Sequence, residues 1–138
     1  LPQVRLGDGV LPQLQLLQQE NLMANPQKRK GDSFERVIVG AIKDAGLSAW
    51  RTAAGWTDDR GDVAGISGVV VECKDHVRPT LGPWLKELAR EVANAGARRG
   101  VVVFKRKGTA DPEDQFVLMT VKDWLLMEKE IQDVSRPL

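Results

Sequence analysis

Two valine runs constrain the fold of this chain more than any other feature: "VVVECK" over Val69–Lys74 and "GVVVFKR" over residues 100–106. The second is short and continuously apolar, the kind of strand found buried in the middle of a sheet. The first follows a period of two. Val69, Val71 and Cys73 leave one face of it, and Val70, Glu72 and Lys74 leave the other. Between the runs, "PTLGPWLKELAREVANAGARRG" spaces Leu81, Leu85, Leu88 and Val92 as one helical stripe, with Pro83 in the first turn and Gly96 at the end. A strand carrying Glu72 and Lys74 beside valines places charge on a half-buried surface. That is costly unless the charges are paired or bind something.

The remaining chain supplies the other elements. "DSFERVIVGAIKDAGL" reads as an amphipathic helix with Phe34, Ile38, Ala41, Ile42 and Ala45 on one side, Asp32 as N-cap and Gly46 as its stop. "SAWRTAAGW" suggests a short strand entering the polar loop "TDDRG". "GDVAGISG" forms a hairpin with "VVVECK", turning near residues 65–68. "QFVLMTV" is a further strand. "VKDWLLMEKEIQ" is a last helix, with Val121, Trp124, Leu125, Glu128 and Ile131 around a mainly apolar side. The order is helix, three strands, helix, strand, strand, helix, which makes an α/β domain with a mixed central sheet flanked by helices.

At 138 residues the chain suits one domain with a real core, expected over residues 27–133. Residues 1–26 are expected to be an extension or tail outside the fold. Their stretch "LPQVRLGDGVLPQLQLLQQENL", ahead of Met23, is rich in Gln, Leu and Pro and reads as a tail or a product of upstream translation. Residues 134–138 form a C-terminal tail. Composition is globular, at 42% hydrophobic and 28% charged, and no apolar run reaches the roughly 20 residues of a membrane span. The single cysteine, Cys73, excludes an internal disulfide framework and fits a reducing, cytoplasmic compartment. With His76 the only histidine, no cysteine–histidine zinc cluster can form. Cys73 itself reads as a small core hydrophobe facing away from the charged pair.

Glu72 and Lys74 leave the strand on the same face, and Asp62, at the start of the preceding strand, can lie opposite them. Two readings follow. The three groups could form an exposed salt-bridge triplet, worth about 0–1 kcal/mol per pair. Alternatively, two carboxylates could hold a hard divalent cation such as Mg²⁺, with Lys74 beside it to hold and help deprotonate an attacking water or to meet charge developing on a phosphate. Spacing alone fits both. The flanking valines argue for the second, because they imply burial that an exposed ion pair does not need.

At these residues the chain resembles the PD-(D/E)xK nuclease superfamily, whose signature is an acid, a spacer and then Glu/Asp-x-Lys: here Asp62, the spacer, and Glu72-Cys73-Lys74. The element order is similar to the restriction-endonuclease-like αβββαβ core of that superfamily. Within it, the chain most resembles the archaeal- and phage-type Holliday junction resolvases, through Lys30-Gly31 and Glu35-Arg36 in "KGDSFER". The likeness covers roughly residues 27 to 124. It departs in one place, since the Pro before the family's acid is Gly61 here. Asp58 and Asp59 are rival ligands if Asp62 does not stand at the strand end.

The resemblance implies a metal-dependent endonuclease that cleaves Holliday junctions by hydrolysis, with Mg²⁺ as cofactor and Mn²⁺ as its substitute. By the same resemblance Asp62, Glu72 and the Cys73 backbone carbonyl bind the metal, Lys74 positions the nucleophilic water, and Glu35 completes the metal shell. Helix geometry alone instead makes Glu35 the capping-box partner of Asp32. The setting implied is the cytoplasm of a bacterium or of a phage-infected host. Another nuclease of the superfamily acting on linear or branched DNA, or a junction-binding module without turnover, are the alternatives.

The net charge of +1 gives no overall pull on nucleic acid, but the basic residues are clustered. Lys28, Arg29 and Lys30 precede the first helix, Arg60 sits just before Asp62, and Lys105, Arg106 and Lys107 follow the central strand. Each cluster alone suits solvated surface. Bracketing one acidic pocket, they suit phosphate contacts with branched or duplex DNA. His76 reads as loop surface or a phosphate contact. Trp56 reads equally as a base-stacking group or as core, while Trp50, Trp84 and Trp124 read as core or interface. A four-way junction presents two symmetric cuts, so a homodimer is expected, its apolar patch supplied by the last helix or by the helix over residues 84–95.

Overall fold

The computed structural model describes residues 26–52 and 60–137. Apart from Pro26, the expected tail over residues 1–26 lies outside those residues, as do Trp56, Asp58 and Asp59. Helix α1 (Pro26–Asp44) leads into β1 (Trp50–Arg51), β2 (Val63–Ala64) and β3 (Val69–Lys74). Then come α2 (Leu81–Ala95), β4 (Arg99–Phe104), a 3₁₀ turn (Pro112–Asp114), β5 (Phe116–Leu118) and α3 (Val121–Ser135). The five strands lie side by side in chain order. β3 and β4 run parallel, and every other neighbouring pair is antiparallel. A parallel pair needs a crossover, and α2 supplies it. The mixed α/β class and the expected order of elements both hold.

Two apolar layers sandwich the sheet. On one face Phe34, Ile38 and Val39 of α1 pack with Val71, Cys73 and Val103. On the other, Trp84 and Leu88 of α2 pack with Val70 and Val102. β3 is therefore covered on both sides, which accounts for its nearly unbroken valines. The alternation puts Glu72 and Lys74 on the α2 side and Cys73 on the α1 side. α2 approaches β4 closely at Gly100, where an added Cβ would stand 2.7 Å from both Leu88 Cδ1 and Val92 Cγ2. The last turn of α2 closes on Gly96 in the left-handed region, at φ 62°.

Several helix details differ from expectation. The described part of α1 runs from Pro26, well ahead of Asp32, and its Gln-Lys-Arg-Lys favours helix. Asp32 is thus inside the helix rather than its N-cap, and Glu35 is not the acid of a capping box. Ala45 is exposed. On α2 the buried residues are Trp84, Leu88 and Glu91, while Leu81 is exposed. α3 continues to Ser135, past the expected Gln132, and none of its residues is buried. The helix ends at Pro26 and Ser135 fall just outside the expected bounds of 27 and 133. Trp84 is core, whereas Trp50 and Trp124 are exposed. No helix among the described residues is long and apolar enough to cross a membrane.

Candidate metal centre

Gly61 sets the backbone that delivers Asp62. Its φ is 94°, and a Cβ there would stand 2.7 Å from Val70 Cγ1 and 3.0 Å from the Val71 carbonyl oxygen. Proline, with φ fixed at about −65°, cannot take this conformation, so a glycine at the position where the resembled superfamily carries proline has a physical basis. The Asp62 N–H donates to the Val71 carbonyl at 2.9 Å, which ties Asp62 alongside β3. Its Oδ2 accepts from the Cys73 N–H at 2.8 Å. In an extended strand the N–H and C=O of one residue leave by the same edge, so the Cys73 carbonyl also faces the Asp62 side. The Lys74 carbonyl turns the other way and accepts from the Lys105 N–H at 2.9 Å.

Glu72, 5% exposed, lies beside Asp62. Lys74 Nζ reaches Glu72 Oε1 at 3.3 Å and Glu87 Oε2 at 2.9 Å. Glu91 of α2, 1% exposed, completes the group, and carboxylate oxygens of Glu72, Glu87 and Glu91 lie within 4.8 Å of one another. Glu72 Oε2 is buried and meets no hydrogen-bond donor among the described residues. The arrangement is not an exposed salt-bridge triplet, because Glu72 and Lys74 are both sequestered and one lysine faces several acids.

The electrostatics follow from this crowding. Burial first, and then the Glu72 charge, push the Asp62 carboxyl up to about 7. Burial and then neighbouring Glu91 push Glu72 up to about 8. Like charges this close ionise together only when a cation joins them. Burial works against the Lys74 charge, but Glu87 and Glu72 outweigh it and hold its pKa above the ordinary lysine value. Lys74 is therefore an ammonium at neutral pH. The donor set is all oxygen, and Glu72 Oε2 is buried without a donor among the described residues, a setting that suits a hard divalent cation. Burial also drives the Cys73 thiol far up, so it is no nucleophile.

Glu35 borders this group from α1. Its Oε2 accepts from Arg51 Nε at 2.9 Å, and a second Arg51 nitrogen donates to Asp32 Oδ1 at 2.8 Å. Burial and the Asp62 charge raise the Glu35 pKa, opposed by Arg51.

Of the expected DNA contacts, Lys30 and Lys105 converge on the end of β3. Lys30 Nζ pairs with Asp75 at 3.2 Å, and Lys105 Nζ donates to the Thr109 carbonyl at 2.7 Å. A groove of about 410 Å³ runs past Lys30, Lys74, Asp75, His76 and Arg78. His76 is exposed and packs edge-on against Trp84, with ring centroids 5.6 Å apart. Lys28 and Arg29 lie in the first turn of α1, and Arg60 is exposed next to Gly61. Arg106 stacks over Phe116, and Lys107 is exposed on the same loop.

Arg51, Glu87 and Glu91 belong to this neighbourhood and were not among the residues that sequence reasoning singled out. Glu91 did carry a signal. It stands three residues after Leu88 and seven after Trp84, so it is a carboxylate in an apolar stripe. Arg51, on a two-residue strand, carried none. Neither a protein-family model nor a curated protein sequence matches this chain.

Proposed function

We propose that this chain is a Mg²⁺-dependent endodeoxyribonuclease that resolves four-way DNA junctions by phosphodiester hydrolysis, acting as a homodimer. The observation that carries the reading is the convergence of Asp62, Glu72 and Lys74 in one sequestered site, with a buried Glu72 oxygen that meets no donor. Asp62, Glu72 and the Cys73 carbonyl would hold the cation, for which Mn²⁺ can substitute. When bound, Mg²⁺ supplies Lewis-acid polarisation of the phosphate and lowers the pKa of water. Lys74 remains charged, so its part is to orient the attacking water or to meet negative charge developing on the phosphate, not to act as a base. Lys30, Lys105 and Arg78 flank the approach and suit contacts to a DNA backbone, which position the substrate without reading its sequence.

The test uses purified protein with Mg²⁺, a labelled four-way junction and a linear duplex of the same sequence, with Lys74→Ala in parallel. The expected result is paired symmetric nicks in the junction alone, absent in the variant. Cutting of both substrates would replace junction resolution with a general nuclease of the same chemistry. Binding without any cut, in Mg²⁺ or Mn²⁺, would make the charged strand a scaffold and the chain a DNA-binding module.

A further inference from the structure

The two acids of the signature do not account for all the carboxylate buried at this site. On α2, Trp84, Leu88 and Glu91 make the side turned to the sheet. An aliphatic residue at position 91 would continue the packing that Trp84 and Leu88 begin. A carboxylate stands there instead, 1% exposed, against Glu72 at 5%. Burying one carboxylate against another is strongly unfavourable unless a cation or a proton joins them.

Lys74 does not fully meet this demand. Its ammonium is held by Glu87 Oε2 at 2.9 Å and Glu72 Oε1 at 3.3 Å. Glu72 Oε2 is left buried with no donor among the described residues. The carboxylates of α2 thus divide the work. Glu87 fixes Lys74, and Glu91 stands with Glu72 in a group whose oxygens lie within 4.8 Å of one another. Glu35 is placed differently, since Arg51 already meets its charge at 2.9 Å.

We infer that Glu91 is a ligand of the divalent cation held at Glu72, so that the metal shell of this chain is completed from α2 and not from Glu35 on α1. The inference rests on the metal-dependent reading proposed above. The ligand is a hard, oxygen-seeking divalent cation, and Glu91 brings it the additional negative charge.

Calorimetric titration of Mn²⁺ into metal-free wild type, Glu91→Gln, Glu35→Gln and Asp62→Asn tests it, together with thermal unfolding of each protein with and without Mn²⁺. Glu91→Gln should unfold at a higher temperature than wild type without metal, because a buried charge is gone, and should lose at least about tenfold in Mn²⁺ affinity. Glu35→Gln should keep the wild-type affinity. Glu91→Asp, which keeps the charge but withdraws it from Glu72, guards against misfolding of the amide variant and should also bind more weakly. Wild-type affinity in both position-91 variants overturns the inference and leaves the metal-dependent nuclease standing. A wild-type protein that takes up neither Mn²⁺ nor Mg²⁺ overturns both.

Discussion

Asp62 and Glu72 sit close together in a buried site, and their raised pKa values make pH a direct probe of it. Burial and neighbouring carboxylates push these groups up from their ordinary values of 3.8 and 4.5 to about 7 and about 8 in the folded protein. Between those limits the folded state binds more protons than the unfolded state, so stability falls as pH rises. In the presence of a chelator, the melting temperature should drop by several degrees as pH climbs from about 6 to about 9. Saturating Mg²⁺ should flatten that slope, since a cation replaces the proton. A chelated protein whose melting temperature is level or rises across this range would mean that both carboxyls ionise normally. Substitution separates binding from chemistry: Asp62→Asn or Glu72→Gln should abolish cleavage while junction binding, read by gel shift, survives or tightens. Full cleavage in both variants would place the chemistry elsewhere. Glu72 and Lys74 could be read from the strand's period of two, because that period is a local property, and the expected hairpin set Asp62 opposite them. The Gly61 conformation could not. Its φ of 94° is set by the close passage of Val70 and Val71, and Gly61→Ala should cost about 1–3 kcal/mol in a denaturant melt.

Helices and strands position these residues through packing, and α2 matters most because it carries Glu87 and Glu91 against the sheet. Its seat on β4 depends on Gly100, where Leu88 and Val92 fill the space a side chain would need. Gly100→Ala should destabilise the fold by about 1–3 kcal/mol through overpacking. It should also weaken Mn²⁺ uptake by lifting Glu91 from Glu72. A variant as stable as wild type would show that α2 can slide to make room. The valine runs and the stripe between them made this β3–α2–β4 unit readable from sequence, since each pattern lies within a few turns of chain. The start of α1 escaped the same logic. Asp32 looks like a cap by local rules, yet its carboxylate pairs with Arg51 across the fold, a partner no local rule supplies.

Among the described residues an apolar side stands open, and its position bears on how the proposed nuclease would meet a two-fold substrate. Sequence patterning left two helices as candidate interfaces. Trp84 and Leu88 of α2 are taken up by the core, so that helix has its partner. α3 instead holds to the domain through polar ties: Arg99 donates to both Glu130 carboxylate oxygens at 2.9 and 2.7 Å, and the Gly100 N–H donates to Asp123 at 3.3 Å. Its Val121, Trp124, Leu125 and Ile131 stay exposed, as do Phe116 and Val117 on the adjoining strand β5. A patch of this kind on a small domain suits an interaction surface. α3 also carries both signs of charge, Lys122 and Lys129 with Glu128 and Asp133, so two antiparallel copies can set opposite charges against each other. Under the proposed function, a second copy of the chain would occupy this face and give the nuclease one site for each symmetric cut. Sedimentation equilibrium should find a dimer at micromolar concentration, with Trp124→Glu and Leu125→Glu reducing it to a monomer. Each variant should keep wild-type Mn²⁺ affinity, because the proposed ligands lie within one chain, but should nick junctions singly instead of in coordinated pairs. A monomeric wild type that still makes paired cuts would mean that α3 faces a different partner and that pairing of the cuts arises on the DNA.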